Sequence, residues 1–339
     1  MSRSNRLELI RKIEAERGSR LLVYFTGDRK GLETRIATDS FPFLLNHLSR
    51  MGKQERIDLY LYSTGGLTNA GYALANLVRE FCEHFGVIIP FKALSTATLI
   101  ALAADDIIMT KMGLLSPIDP SIISPLGPQV AVPGQPGVTQ PSPISVEDVI
   151  GYLDLARNEL LLKDEESLVR VFDRLSQNVN PLALGAVNRV KEQISFLSRV
   201  LLSAHIENKN KIDKIIETLT KGRFSHDYLI GRKEAKEVIG LNIIDVDKKL
   251  DDYILSLYNE YDRLLELSTP YYPEAVLSGE KKIKKQFDRA IIESDDKTFV
   301  FRTVKEIEKV DVNLPPIQGT SIGYKETIIS ESWVEDDNI

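Results

Sequence analysis

Two segments of this sequence each combine an apolar strand, a turn built from small residues and a helix. The first runs through Ile57–Tyr62, the pair Gly65-Gly66 and a stripe of apolar residues at helical spacing within 70–81. The second runs through Val87–Ile89, the serine Ser95 and a helix of small residues. Alternation of strands with helices is typical of a parallel sheet covered by helices. We therefore predict an α/β fold.

Ser95 is the residue in this pattern that has the chemistry of a nucleophile. A strand-to-helix turn lifts a serine hydroxyl clear of the sheet, and the first N–H groups of the following helix point at the charge that develops there. The other interpretation is structural, because serine is a common N-cap residue and Ser95 stands where the helix begins. Its position in the sequence leaves both interpretations open.

A serine nucleophile also needs a general base and donors for the oxyanion. The backbone amides of Gly65, Gly66 and Thr96 are the candidate donors, provided that the two turns lie side by side. The base is harder to assign. Lys163 is our first candidate, since desolvation lowers the pKa of a lysine, and His226 is a second and less favoured one.

Composition and charge exclude several classes of function. The chain has 43 Lys and Arg against 49 Asp and Glu, and the two signs are well mixed along the sequence. The sequence therefore indicates no basic face that would bind nucleic acid. The single cysteine, Cys82, leaves no intrachain disulfide and suits a reducing compartment. The charged N-terminus does not resemble a signal peptide, and no stretch is apolar enough to span a membrane. We expect a cytoplasmic protein without metal or cofactor, since no His/Cys ligand spacing and no phosphate-binding loop occurs.

Changes in periodicity and in Pro and Gly content along the sequence predict how the chain is divided into domains. Residues 1–265 hold the periodic strands and helices, and we expect them to form one α/β domain. Within it, residues 121–144 are rich in Pro and Gly and are expected to form a long arm. Residues 266–339 are expected to form an extension with one short strand, at 299–304, and an acidic tail over the last ~20 residues.

Three stretches resemble the serine dehydrogenase proteinase family, a Clp-type group of serine peptidases related to signal peptide peptidase A. The stretch LYSTGG (61–66) resembles the strand and glycine turn that supply an oxyanion amide, here Gly66. Residues 92–120 resemble the nucleophile block around Ser95, and residues 225–243 resemble a later His-Asp-Tyr block. The sequence departs from the family where Ser-Thr-Ala-Thr replaces Ser-Ala-Gly-Thr and where Asp119 takes the place of the Clp histidine.

The resemblance implies a Clp/crotonase-like spiral of strand-strand-helix units with additional C-terminal helices, assembled as a trimer-like or ring-like homo-oligomer. It implies hydrolysis of peptide or unfolded protein, with Ser95 as nucleophile and backbone amides as oxyanion hole. Two alternatives stay open. A catalytically silent scaffold on the same fold would bind a partner protein through the arm or the tail. An acyl-thioester enzyme would use the same paired amides, although no coenzyme-binding residues are evident.

Overall fold

The chain divides into two compact units in the computed structural model. The structure describes residues 3–118, 121–122, 124–132, 137–142, 144–220, 228–313 and 320–339. The first unit comprises Met1–Leu115, Gly231–Lys233 and Asn242–Ile339, and the second comprises Ser116–Ile230 and Glu234–Leu241. The N-terminal and C-terminal thirds of the sequence therefore share one unit, whereas the sequence predicted a boundary near residue 265.

Strands and helices alternate through the first part of the chain and separate into runs later. The strands are β1 (Arg20–Thr26), β2 (Gln54–Tyr62), β3 (Cys82–Ile89), β4 (Lys92–Ala93), β5 (Asp106–Met109), β6 (Leu114–Leu115), β7 (Ser121–Ile122), β8 (Gln129–Ala131), β9 (Thr139–Pro141), β10 (Ile144–Ser145), β11 (Ile230–Gly231), β12 (Ile243–Ile244), β13 (Lys282–Glu293), β14 (Thr298–Asn313) and β15 (Thr320–Glu335). The helices are α1 (Arg3–Arg17), α2 (Phe41–Met51), α3 (Thr68–Arg79), α4 (Thr96–Ala101), α5 (Val146–Asp154), α6 (Glu165–Asn178), α7 (Pro181–Ser203), α8 (Lys209–Thr220), α9 (Arg232–Glu234), α10 (Lys248–Leu265) and α11 (Pro273–Leu277).

The first unit is built on one eight-stranded sheet with the strand order β12-β5-β3-β2-β1-β13-β14-β15. The strands from β12 to β1 run parallel, with Leu22 opposite Leu59 and Leu59 opposite Val87. From β13 onward the pairing is antiparallel. The predicted α/β class is confirmed, and both strand–turn–helix segments form as the apolar spacing indicated.

Helices α1 and α10 cover one face of this sheet. The alternating residues Leu21, Val23 and Phe25 of β1 form a single core cluster with the apolar faces of both helices. The intervening residues of β1 and β2, such as Leu22 and Leu59, are fully buried on the opposite face. Strands buried on both faces carry nearly continuous apolar runs, which is why β1, β2 and β3 are so clear in the sequence.

The C-terminal segment corrects the prediction of a short strand followed by an acidic tail. Strands β14 and β15 are 16 residues each and pair along their whole length, from Phe299 opposite Glu335 to Asn313 opposite Thr320. Contacts with the N-terminal part of the chain hold this end in place. The indole Nε1 of Trp333 donates to Asp39 Oδ2 at 2.8 Å. The supposed tail is thus the edge strand of the main sheet.

Cys82 and His84 belong to a strand, although apolar and charged residues around them are also spaced as on a helix face. Helix α3 ends at Arg79, and both residues lie at the start of strand β3. Cys82 is half-buried, and burial is the main cause that raises the pKa of its thiol to about 11. A thiol with so high a pKa is a poor nucleophile at neutral pH.

The second unit is mainly helical. Asn180 caps the start of α7, since its Oδ1 accepts a hydrogen bond from the Leu182 amide at 2.9 Å. The Pro/Gly-rich arm contains two short antiparallel pairs, β7 with β10 and β8 with β9. Among the residues that the structure describes, no helix is long and apolar enough to cross a membrane.

Candidate functional site

Ser95 lies at the sharp turn between β4 and α4. Its backbone adopts φ 52° and ψ −114°, a combination that non-glycine residues rarely occupy. The turn is held from both sides, because the Ala97 amide donates to Leu94 O at 2.9 Å and the Leu99 amide donates to Ser95 O at 3.0 Å. Strained backbone of this kind persists where the surroundings over-determine it, and it is concentrated at active sites. A simple N-cap would not require it, since a cap residue normally has extended backbone.

The two turns predicted from the sequence lie side by side. The Ser63 amide donates to Lys92 O and the Leu94 amide donates to Ser63 O, both at 2.9 Å. This bridge joins the end of β2 to the strand that leads into Ser95. The condition that the sequence left open for a shared site is therefore met.

Gly65 and Gly66 are the residues that allow this close approach. Gly65 has φ +113°, and a Cβ added there would lie 2.9 Å from Ser95 Cβ and 3.3 Å from Ser95 Oγ. A Cβ added at Gly66 would lie 2.2 Å from the carbonyl oxygen of Ile36. Glycine is required at both positions, since each backbone touches a neighbouring segment where a side chain would stand.

Thr96 explains how the chain tolerates its departure from the small residues expected beside the nucleophile. Its Oγ1 donates to the carbonyl oxygen of Gly66 at 2.8 Å. Its methyl group packs against Gly71 of α3, where an added Cβ would lie only 2.4 Å away. The β-branched residue thus fills space that a glycine on the facing helix provides, and it ties the two turns together.

Two of the three oxyanion donors predicted from the sequence have no hydrogen-bond acceptor among the described residues. They are the amides of Gly66 and Thr96. The Gly65 amide is different, because it donates to Ser63 Oγ at 3.0 Å. The Gly66 and Thr96 amides therefore fit the predicted role of oxyanion donors, whereas the Gly65 amide is engaged inside the turn.

The first part of the chain matches a known family. A family model described as ClpP-like SDH-type serine proteinase matches residues 1–132. The match covers fewer than half of the 339 residues of the chain. The matched segment contains both turns of the junction just described.

Two uncharacterised proteins of Methanocaldococcus jannaschii are among the proteins to which this chain is similar. One is 29% identical over 218 residues, which is 64% of this chain and 63% of that protein. The other is 27% identical over 266 residues, which is 75% of this chain and 76% of that protein. The chain therefore spans less than two-thirds of the first relative. Because both relatives are uncharacterised, they assign no activity to this chain.

Neither Lys163 nor His226, the two candidate bases predicted from the sequence, lies within the matched residues 1–132, whereas Asp119 does. Lys163 is an exposed residue of the second unit, just before α6. His226 and Asp119 lie outside the described residues. Their roles stay predictions.

Lys92 is the basic side chain nearest in sequence to Ser95, and it is already paired. Its Nζ lies 2.6 Å from Asp28 Oδ2, and the other oxygen of this carboxylate accepts from the Tyr62 hydroxyl at 2.7 Å. Burial and then Asp28 raise the pKa of Tyr62 well above its usual range. This network braces the ends of β1, β2 and β4. Within the described residues, no group of three or more His, Cys, Asp or Glu side chains is placed to hold a metal ion.

Proposed function

We propose that this protein is a serine peptidase. Ser95 Oγ attacks a peptide carbonyl carbon, and the amides of Gly66 and Thr96 stabilise the oxyanion. The base then passes the Ser95 proton to the peptide nitrogen, the C–N bond breaks to release the amine and leave an ester on Ser95, and water hydrolyses that ester. The observation that carries the proposal is the strained backbone of Ser95 beside two amides that no described residue engages. Paired amides at such a position are worth several kcal/mol to the transition state, about 3–4 for a single donor.

The base that takes the Ser95 proton is proposed from the sequence alone. Lys163 is our first candidate and His226 is our second. A lysine acts as a base near neutral pH only where burial or a neighbouring cation lowers its pKa. The described position of Lys163 is exposed, so this role requires that assembly or substrate binding covers it.

We further propose that the protein acts on peptide or unfolded protein as a homo-oligomer, as its ClpP-like family relationship supports. Helix α6 is strongly amphipathic, yet it has no buried residue in the single chain. Val169 and Phe172, on this helix, are about half exposed, at 51% and 49%. An apolar helix face of this kind is typical of subunit packing, and a second copy of the chain is the occupant that we propose.

Hydrolysis is tested with unfolded casein and the purified full-length protein. New N-termini are identified by mass spectrometry for the wild type, for Ser95→Ala and for Ser294→Ala, a matched change at a buried serine far along the sequence. The proposal expects cleavage by the wild type and by Ser294→Ala and none by Ser95→Ala. Equal cleavage by Ser95→Ala would assign the activity elsewhere. No cleavage by any variant, from a correctly folded oligomer, would favour the silent scaffold.

Assembly is tested separately by light scattering after size exclusion. Phe172→Glu places a charge on the exposed face of α6, and Asp173→Lys changes charge on the neighbouring position as a control. The expected result is a smaller particle for Phe172→Glu only. An unchanged mass for Phe172→Glu would remove this face from the interface.

A further inference from the structure

Ser63 forms a hydrogen-bond network to which the reaction proposed above assigns no role. Its side chain is fully buried at the end of β2. Ser63 Oγ accepts from the Gly65 amide at 3.0 Å and from Thr26 Oγ1 at 2.7 Å, and it donates to the Gly65 carbonyl oxygen at 3.2 Å. A hydroxyl has one proton and two lone pairs, so the hydrogen-bonding capacity of Ser63 is completely used.

These contacts fix the plane of the peptide bond between Gly65 and Gly66. That plane contains the Gly65 carbonyl at one side and the Gly66 N–H at the other, because a trans peptide is planar and directs the two groups in opposite directions. The Gly65 carbonyl accepts from the Ile36 amide at 2.9 Å as well as from Ser63. Holding this carbonyl therefore sets the direction of the Gly66 N–H.

The backbone freedom of Gly65 makes this anchoring of the peptide plane necessary. Gly65 has φ +113°, and a residue without Cβ reaches several backbone conformations of similar energy. The following peptide plane is anchored independently, since Thr96 Oγ1 donates to Gly66 O and the Leu67 amide donates to Ile36 O. Rotation of the plane between Gly65 and Gly66 alone would turn the Gly66 N–H away from the site.

We infer that Ser63 is a positioning residue that aims the Gly66 amide at the oxyanion, with Thr26 supporting it from the neighbouring strand. The inference rests on the proposed function, because it assigns a task to the same site. Ser63 does not touch the reacting atoms; it acts through the peptide plane. Loss of its hydroxyl is expected to lower kcat while KM stays nearly constant, since the oxyanion exists in the transition state and not in the bound substrate.

The test measures kcat and KM for p-nitrophenyl acetate, a small activated ester that requires only a nucleophile and an oxyanion site. Ser63→Ala removes the anchor. Thr26→Val removes the supporting hydroxyl and keeps the shape, and Thr26→Ser keeps the hydroxyl. Ser294→Ala is the control, because it removes an equally buried hydroxyl, bonded to His47 at 2.8 Å, on a different hairpin.

We expect kcat of Ser63→Ala to fall by about tenfold to a hundredfold, less than the about 100- to 1,000-fold loss when an oxyanion donor is removed outright. Thr26→Val is expected to lose more kcat than Thr26→Ser, and Ser294→Ala is expected to match the wild type. If Ser63→Ala does not fold, the kcat of Thr26→Val compared with that of Thr26→Ser tests the inference. If the kcat of Ser63→Ala or of Thr26→Val equals that of Ser294→Ala, the inference about Ser63 is wrong, while the proposed function stands. A wild type that neither turns over the ester nor reacts with a fluorophosphonate would overturn the proposed function and the inference with it.

Discussion

The hydroxyl of Thr96 donates a hydrogen bond to the carbonyl oxygen of Gly66 over 2.8 Å. This contact joins the residue after Ser95, the proposed nucleophile, to the residue whose amide we propose as an oxyanion donor. In the sequence, a threonine at this position is a departure from the small residues of related nucleophile turns. In the structure, it links the two turns that the proposed chemistry requires.

Thr96→Val removes this hydrogen bond and keeps the branched shape that packs against Gly71. We expect the free energy of unfolding to fall by about 1 kcal/mol, the usual net value of one such bond, and ester turnover to fall as well. Thr96→Ser keeps the hydroxyl and is expected to retain more turnover than Thr96→Val. Urea unfolding and p-nitrophenyl acetate kinetics measure the two effects. Equal turnover of both variants would show that the bond does not align the turns.

Gly65→Ala is expected to abolish the reaction of Ser95. The added Cβ would lie 2.9 Å from Ser95 Cβ, and φ +113° is strained for alanine. Gly18→Ala is the matched control, since Gly18 also has a positive φ, +59°, but an added Cβ there meets nothing within 4 Å. Labelling by a fluorophosphonate and thermal unfolding are compared for both. Full labelling of Gly65→Ala would contradict the packing of the glycine turn against Ser95.

His47 gives stability a defined dependence on pH. Burial lowers its pKa to about 4, although Asp296 and Glu293 act in the opposite direction. The unfolded chain takes up a proton at about pH 6.5, whereas the folded protein does not until about pH 4, so stability is full above 6.5 and falls between these values. Below the lower pKa both states are protonated, and this contribution no longer changes.

The measurement is the free energy of unfolding by urea at a series of pH values for the wild type and for His47→Gln. The slope of the wild type between about pH 6.5 and 4 is expected to reach up to about 1.4 kcal/mol per pH unit from this one group. His47→Gln is expected to be less stable at pH 7 and to lack this part of the slope. The same slope in both proteins would assign the acid sensitivity to the carboxylates.

Removal of residues 314–339 tests whether the C-terminus is part of the sheet. The shortened protein loses β15 and exposes the 16-residue edge of β14, together with the Phe301 ring that Trp333 contacts at 5.5 Å between centroids. We expect a lower melting temperature and increased light scattering, because a long unpaired edge recruits other chains. Trp333→Phe keeps the strand and is expected to be much milder. An unchanged melting temperature after truncation would show that residues 314–339 are a dispensable tail.

Apolar spacing and turn residues predicted both strand–turn–helix segments, because these patterns are local, whereas the approach of Gly66 to Ser95 stayed a condition that only the structure could meet. Strand β15 was missed because most of its side chains are exposed, so its pairing with β14 supplies the information that its own pattern lacks. Ser63 and Thr26 were missed for another reason. They are separated by 37 residues and look like ordinary turn residues until the parallel pairing of β1 with β2 brings them together.

The most direct measurement is the reaction of the purified wild-type protein and of Ser95→Ala with a fluorophosphonate, followed by intact mass and by peptide mapping of the modified residue. An activated serine flanked by oxyanion donors predicts one adduct per chain on Ser95, absent from Ser95→Ala. The absence of an adduct from a folded wild-type oligomer, or an adduct that persists in Ser95→Ala, would contradict the account.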